Sequence, residues 1–407
     1  MAHCVFDIVV VGAGPTGLLA ALAFAEAGLD TAVCGQVPAP PTGHADTRTA
    51  ALFNDSVTML ENLQVWPHLE ACCAPLTAIR IIDDMGHLMR GPELTFDAKS
   101  LDLQTLGWNV PNAALVEQLR RVAEDTALCT PVLGETVVAM ETAQGQATVR
   151  CESGRELHAR LVVAADGQNS SMRACAGIEA NIRRYPQAAL TSVLQHTRTH
   201  GNISTEFHRP GGPFTVVPLP GNVSSLVWLD TPEIIDRAVA ADDGAFVAML
   251  EERLQGLLGK IGPAMGRRRF PLAILNAERL IAPRVALIGE AAHAFPPIGA
   301  QGLNLSFRDV AVLTETLSEA KGRDDDIGAM EVLRGYSKQR IQDIWFRSRG
   351  VDGLNRSLTS TWPGITMLRG GLSHIIQGIP ALKQILMRAG FAGPGAVPKL
   401  MRAKVEA

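Results

Sequence analysis

Asp7-Ile-Val-Val-Val-Gly12-Ala-Gly14-Pro-Thr-Gly17 decides the fold. An apolar run of β-formers passes directly into Gly-x-Gly-x-x-Gly. Leu18 to Ala27 then reads as a helix, Gly28 as its stop, and Thr31 to Cys34 as a second short strand. In this order the glycines have separate tasks: Gly12 permits the tight turn, Gly14 lets the backbone approach a pyrophosphate, and Gly17 lets helix and strand pack. This is a dinucleotide-binding βαβ unit, and the fold class it predicts is α/β. One part is missing. The acid that normally ends the second strand and binds a ribose hydroxyl is absent from Val33-Cys34-Gly35-Gln36. Either Gln36 substitutes for it or the ribose is held from elsewhere.

A second stretch, Gly289-Glu-Ala-Ala-His-Ala-Phe-Pro-Pro-Ile-Gly-Ala-Gln-Gly-Leu-Asn-Leu-Ser-Phe-Arg-Asp-Val310, has the same grammar. Arg284 to Gly289 reads as a buried strand, and Leu303, Leu305, Phe307, Val310 and Leu313 as one face of an amphipathic helix beginning near Leu303. Between them, prolines and glycines form a loop that delivers a helix N-terminus, with its free N–H groups and positive dipole end. Such a corner suits a ligand that carries or develops negative charge. His293 within it reads as a buried, hydrogen-bonded histidine rather than a catalytic one.

At 407 residues the chain is long enough for two or three domains, and its net charge of −4 without a basic, aromatic-rich array argues against nucleic-acid binding. Seven cysteines without a Cys-x-x-Cys spacing point to a reducing compartment and no metal site. A strand at Val5 to Val11 leaves no room for a cleaved signal peptide, and no run reaches the roughly 18 apolar residues of a membrane span. A cytoplasmic protein, with a peripheral place on the inner face of the plasma membrane open to it, is the expectation.

Further along, a Pro-rich loop (Val37 to Gly43) precedes Asp46-Thr-Arg48-Thr-Ala-Ala-Leu52 and a helix bearing Val57, Leu60 and Leu63. Arg48, placed at or just before that helix start, calls for an anion nearby. Ile79 to Ile82 and Leu94 to Phe96 read as strands, and Gly107 to Asn112 leads into a helix at Ala113 to Ala123 with Asn112 in the cap position. Thr136 to Met140, Ala147 to Cys151 and Glu156 to His158 read as a meander. It ends in a second buried strand, Arg160 to Ala165, and an Asp166-Gly167 turn where a ligand can lie. Alternation from Ile178 to Leu275 predicts an antiparallel sheet, then a helix at Asp243 to Leu258; Arg267-Arg268-Arg269 reads as a solvated edge or loop. The tail from Pro363 repeats Ile365, Leu368, Leu372, Ile375, Ile376, Ile379, Leu382, Ile385 and Leu386 at near-helical spacing among basic residues. It supports two readings, a helix lying on an anionic membrane or a cap on the core or a second subunit.

Three pieces in order, the Gly12 loop, the Asp166-Gly167 turn and the Gly289 corner, with an antiparallel sheet inserted before the last, resemble the single-component FAD-dependent aromatic hydroxylases of the para-hydroxybenzoate hydroxylase fold. Asp46 to Leu52, Pro111-Asn112-Ala-Ala-Leu115 and the basic tail look most like the ubiquinone-biosynthesis hydroxylases (UbiH/UbiF type). The resemblance implies a Rossmann-like FAD-binding domain built from residues 1–75, 101–180 and 279–340. Residues 76–100 and 181–278 would form the substrate sheet, and 341–407 a helical, membrane-associating C-terminal region. It implies FAD held at its pyrophosphate by Gly12, Gly14 and Gly17, with Arg48 and Asn112 near the phosphates and flavin. Asp166 and Gly167 would form the second nucleotide motif. Gly289 and Glu290, where the family usually has Asp, would meet the ribityl chain, and Pro297, Gly299, Gly302, Leu303 and Asn304 would surround the isoalloxazine ring.

The activity implied is hydroxylation of a prenylated phenol in ubiquinone biosynthesis by O2 through a flavin hydroperoxide. NAD(P)H would be a transient reductant, since no second Gly-x-Gly-x-x-Gly provides it a domain. Side chains carry no covalent step in this scheme; backbone N–H groups near Gly302, Leu303 and Asn304 would stabilise charge on the reduced ring. Neither tyrosine, Tyr185 or Tyr336, declares itself as a substrate-activating phenol. Alternatives are another flavin enzyme on this chassis (epoxidase, halogenase or reductase) or a non-catalytic FAD-bearing subunit of a membrane-bound quinone-biosynthesis complex. The Trp-x-Trp-x-Ile-Pro signature expected of flavin halogenases is absent.

Overall fold

The computed structural model describes residues 5–36, 46–86, 91–143, 145–359, 374–375, 377–391 and 396–404. The Pro-rich loop at Val37 to Gly43 and the tail positions Ile365, Leu368, Leu372 and Ile376 lie outside them.

The opening stretch forms β1 (Val5–Val11), α1 (Pro15–Glu26) and β2 (Thr31–Gly35). β1 is the centre of the first sheet, parallel to β2 on one side and to β11 (Glu156–Ala164) on the other. β8 (Cys129–Leu133) continues beyond β2, and β18 (Val285–Leu287) beyond β11, both in parallel; β17 (Ile281–Ala282) closes that edge. β9 (Val137–Ala143) and β10 (Gln146–Cys151) hang from β11 as an antiparallel arm. The last arm of the expected meander and the second buried strand are therefore one continuous strand, because β11 pairs with β10 near its start and with β1 along most of its length. Burial on both faces explains the unbroken apolar runs Ile8–Val11 and Leu161–Ala164.

The second sheet has the order β19-β16-β12-β15-β14-β13-β5-β6. Its members are β5 (Ala78–Asp83), β6 (Leu94–Asp97), β12 (Ala180–His196), β13 (Ile203–Arg209), β14 (Gly212–Leu219), β15 (Val223–Asp230), β16 (Ile261–Ala277) and β19 (His293–Ala294). Arg267-Arg268-Arg269 is thus not a loop but part of β16, paired with β12 on one side. β19 meets β16 only at Leu275 and Asn276, so among the described residues the arginines do lie on a free strand edge, as one of the two expectations had it. Strand alternation sends their side chains to opposite faces. Arg267 reaches Asp243 and stacks on Phe246 at 4.4 Å, and Arg269 pairs with Asp236 at 2.6 Å. These partners belong to α5 (Pro232–Ala240) and α6 (Asp243–Leu254), which cover the outer face over Leu190, Phe214, Leu226 and Trp228.

A small sheet, β3 (Thr49–Phe53), β4 (Ala74–Leu76) and β7 (Gly107–Pro111), lies against the inner face of the second. β3 intervenes between Arg48 and α2 (Asn54–Asn62), so the helix-start argument for Arg48 does not apply. α3 (Asn112–Asp125) begins at Asn112 itself, with Pro111 at the cap position and no side-chain cap. α4 (Ser171–Cys175) follows the Asp166 turn. α7 (Gln301–Gly322) starts two residues earlier than expected, and from Asn304 to Thr314 it is buried all round rather than on one face. Its neighbours are α1 and α8 (Met330–Thr359), a helix that runs unbroken across residue 340. α9 (Pro380–Phe391) buries Met387 against Ala98 and Leu106. Among the described residues no helix is long and apolar enough to cross a membrane.

Candidate active site

Because β1, β2, β11 and β18 run in parallel, their carboxyl ends share one edge. That edge brings together Gly12, Gly35, Asp166 and Gly289, segments up to 277 residues apart in the chain. Two glycines are fixed by this crowding. A Cβ on Gly12, at φ +118°, would stand 2.3 Å from the Ala165 carbonyl oxygen, and one on Gly17 would stand 1.8 Å from the Gly12 carbonyl oxygen. Gly14, by contrast, has nothing among the described residues within 4 Å of where a Cβ would sit, so that face is open to a ligand. No side chain caps α1, leaving its first N–H groups to that ligand.

Asp166 is engaged with its own turn. It accepts hydrogen bonds from Ser170 Oγ at 2.5 Å and from the Met172 N–H at 3.1 Å, anchoring α4. Gly167 adopts φ +82° at the turn. The neighbouring Arg173, buried and not foreseen from sequence, donates to the Ala291 carbonyl at 2.9 Å and to the Gln168 carbonyl at 2.9 Å. It therefore ties the Asp166 turn to the Gly289 corner.

The Gly289 corner is held from beneath by Asp309, which is fully buried. Its carboxylate accepts from the Gly289 N–H at 2.9 Å, from His293 Nε2 at 2.6 Å and from Arg340 Nε at 2.7 Å. Burial pushes this carboxyl upward, but His293 and Arg340 outweigh it and hold the group below the usual carboxylate range. Arg340 continues to Asp343 at 2.6 Å, and Asp343 to Arg347 at 2.8 Å. His293 is the buried, hydrogen-bonded histidine expected, its ring stacked on Phe295 at 5.4 Å. Glu290 is exposed.

Above this frame, Pro297, Gly299 and Gly302 are exposed, and Ala300 takes a left-handed conformation as α7 begins without a side-chain cap. Gly302 has open space where a Cβ would stand, and Leu303 is half-buried. The Asn304 side chain faces the protein: its Oδ1 accepts from Phe53 N and Ser56 Oγ, and its Nδ2 donates to the Ala51 and Ala300 carbonyls, all within 2.9 Å. Of this residue, only the backbone is left for a ligand.

Arg48 forms a two-point ion pair with Asp46, 2.7 Å at its closest, and lies over the Phe270 ring at 5.7 Å. Hydrogen bonding to Asp46 raises the arginine's pKa, against the opposing effect of burial, and Glu290 adds to the rise. Asn112 donates its N–H to the Arg48 carbonyl at 3.0 Å, and its side-chain Oδ1 is buried without a partner. Gln36 Nε2 donates to the Gly134 carbonyl at 2.8 Å; because that acceptor is a carbonyl, the amide oxygen of Gln36 must face the other way.

An open glycine face at one helix N-terminus, a second uncapped N-terminus beside an exposed Gly-Pro loop, and an orphaned amide oxygen fit an anionic dinucleotide with an electron-accepting ring. The comparisons agree. A model of the FAD binding domain family matches residues 5–345. The chain belongs to this family, among the FAD-dependent aromatic hydroxylases. It is 30% identical to ubiquinone hydroxylase UbiL of Rhodospirillum rubrum over 405 residues, covering 98% of this chain and 93% of that protein. Against 3-demethoxyubiquinol 3-hydroxylase of Escherichia coli it is 28% identical, covering 89% and 92%. In fold it is similar to p-nitrophenol 4-monooxygenase PnpA of Pseudomonas putida, with a TM-score of 0.78 at 17% identity over 97% of this chain and 100% of that one. HpxO of Klebsiella pneumoniae in complex with FAD and uric acid gives 0.74 at 21%, over 96% and 97%.

Proposed function

We propose that this FAD-dependent hydroxylase acts on the aromatic ring of a prenylated phenol on the route to ubiquinone, taking electrons from NAD(P)H and oxygen from O2. One observation carries the reading. The inner face of the second sheet (Ala189, Val227, Leu229, Phe270 and Leu272) meets Phe295 and Ile298 of the Gly289 corner in an apolar cluster. A wall of this kind beside the ring end of the cofactor suits an aromatic substrate with a hydrocarbon tail and keeps water out. The names of the relatives support the same substrate class.

In this reading residues 1–75, 101–180 and 279–340 form the cofactor domain, and 76–100 with 181–278 the substrate domain. Gly12, Gly14 and Gly17 receive the pyrophosphate, and Arg48 and Asn112 stand near the phosphates and flavin. Asp166 and Gly167 shape the nucleotide edge, and Gly289 and Glu290 meet the ribityl chain. Pro297, Gly299, Gly302, Leu303 and Asn304 border the isoalloxazine. Bound FAD supplies the redox and oxygen chemistry. The chain's own part is to orient it, exclude water and present amide hydrogens of the first turn of α7 to the ring. A peripheral membrane position is supported by α8, which exposes Trp345 and Phe346, and by α9, which exposes Ile385 and Leu386 on a helix that also carries Lys383 and Arg388.

The test is deletion in the native host followed by mass spectrometry of the prenylphenol pool. A ubiquinone precursor lacking a ring hydroxyl should accumulate; unchanged quinone pools would sink the proposal.

A further inference from the structure

On the inner face of β12 the side chains of Ala189, Thr191 and Val193 line up, opposite Leu229, Val227 and Ser225 of β15. The two outer rows of this ladder are roofed. Ala189 and Leu229 pack with Ile298 and Phe295 of the Gly289 corner. At the other end, Ser225 Oγ meets Thr49 Oγ1 at 2.8 Å and Asn109 Nδ2 at 3.2 Å, under the small sheet. Thr191 and Val227 make the middle row. With four residues of strand between the roofed rows, the gap is about 13 Å centre to centre, which suits a single substituted ring.

Two polar atoms at this strip lack partners. Thr191 is 9% exposed, and its hydroxyl has no hydrogen-bond partner among the described residues. Asn109, 1% exposed, has an unpartnered Oδ1 beside the Ser225 row. Native interiors satisfy their buried polar groups, and an exception points to a missing partner. The direct cross-strand neighbour of Thr191 on β16 is Arg268. Unlike Arg267 and Arg269, it faces inward. It makes no hydrogen bond or close ion pair among the described residues, though, against the upward push of burial and behind the hydrogen bonds of Arg48, its charge helps hold the Asp46 carboxyl below the usual carboxylate range. An apolar strip carrying one unpartnered hydroxyl, with an arginine as its direct cross-strand neighbour, suits a ring oxygen that bears negative charge.

Resting on the aromatic-hydroxylase reading, we propose that Thr191 holds the phenolic oxygen of the substrate, donating its hydroxyl hydrogen to it, while Arg268 beside it favours the ionised form. This is a substrate-binding role and needs no covalent step.

The test titrates the FAD-loaded full-length enzyme with 2-allylphenol and with allylbenzene, which lacks the oxygen, following the flavin absorbance. Thr191→Val keeps the shape of the side chain and should raise the Kd for 2-allylphenol roughly tenfold. It should leave the Kd for allylbenzene and for FAD itself within about twofold, the change expected when only a hydrogen-bonding partner is removed. Thr191→Ser, which keeps the hydroxyl, should bind the phenol nearly as the unaltered protein does. If Thr191→Val binds the phenol undiminished, or weakens both compounds alike, the assignment is overturned while the hydroxylase reading stands. If the unaltered, FAD-loaded enzyme responds to neither compound, the hydroxylase reading falls and takes the assignment with it.

Discussion

Asp309 shows what single residues contribute here. It supplies the negative charge that lets Gly289, His293 and Arg340 be buried together, and its worth lies in pairing: although Arg340 keeps Asp343, removing one partner from a buried charge network is strongly destabilising. Asp309→Asn should therefore cost about 3–5 kcal/mol of unfolding free energy in urea at neutral pH. The pH dependence has a definite sign. The folded carboxyl titrates below its unfolded range, so its contribution is complete above the unfolded pKa of about 4 and is lost as pH falls through the folded value. Unfolding midpoints of Asp309→Asn and the unaltered protein should converge below about pH 4; a constant gap down to pH 2 would refute the assignment. Sequence reasoning reached His293 correctly but passed over Asp309 and Arg173. An acid inside a helix reads as solvent-facing, and only the packing of α1, α7 and α8 shows that α7 has no solvent face at that level. The available signal was Asp309 lying four residues beyond Leu305, on the apolar stripe.

At the level of elements, the proposed reading needs α7 to present its N-terminus to the cofactor in one fixed attitude, and Asn304 sets that attitude. Three hydrogen bonds from one side chain bind the first turn to Ala51, Phe53 and Ser56, and a fourth closes on the Ala300 carbonyl at the helix start. Replacing Asn304 by Asp keeps the acceptor atoms but sets an oxygen against the Ala51 and Ala300 carbonyls. We expect Asn304→Asp to weaken FAD binding at least tenfold and to destabilise the protein by about 2 kcal/mol, the usual penalty for buried polar groups left unpaired. Equilibrium dialysis against FAD and urea unfolding measure the two effects; normal affinity in a destabilised variant would separate this clip from the cofactor site. The strands, loop and helix of both glycine corners were legible because turn glycines and unbroken apolar runs are local signals. β16 was not. Its Met265-Gly266-Arg-Arg-Arg269 lacks alternation, because both faces of that strand offer acids to arginine, Asp243 and Asp236 outside and Asp46 inside.

Over the whole molecule, the two large sheets and the small one come together around the Gly289 corner, whose β19 joins the second sheet while its preceding strand β18 belongs to the first. A dinucleotide bound along the carboxyl edge and under this corner, as proposed, would touch segments from Gly12 to Gly289, so binding and global stability would be linked. A ligand that binds only the folded form stabilises it by RT ln(1 + [L]/Kd), about 2.7 kcal/mol at a hundredfold excess over Kd. Each ligand should therefore raise the unfolding midpoint in proportion to how much of this edge it spans. At equal concentration FAD should raise it most. FMN, lacking the AMP half whose phosphate would reach Gly14 and whose ribose would reach Gln36, should raise it less, and riboflavin, lacking both phosphates, least. Differential scanning calorimetry with the three ligands decides the matter. Equal shifts from FMN and FAD would mean that the β1–α1 edge contributes nothing to binding and that recognition resides in the Gly289 corner alone.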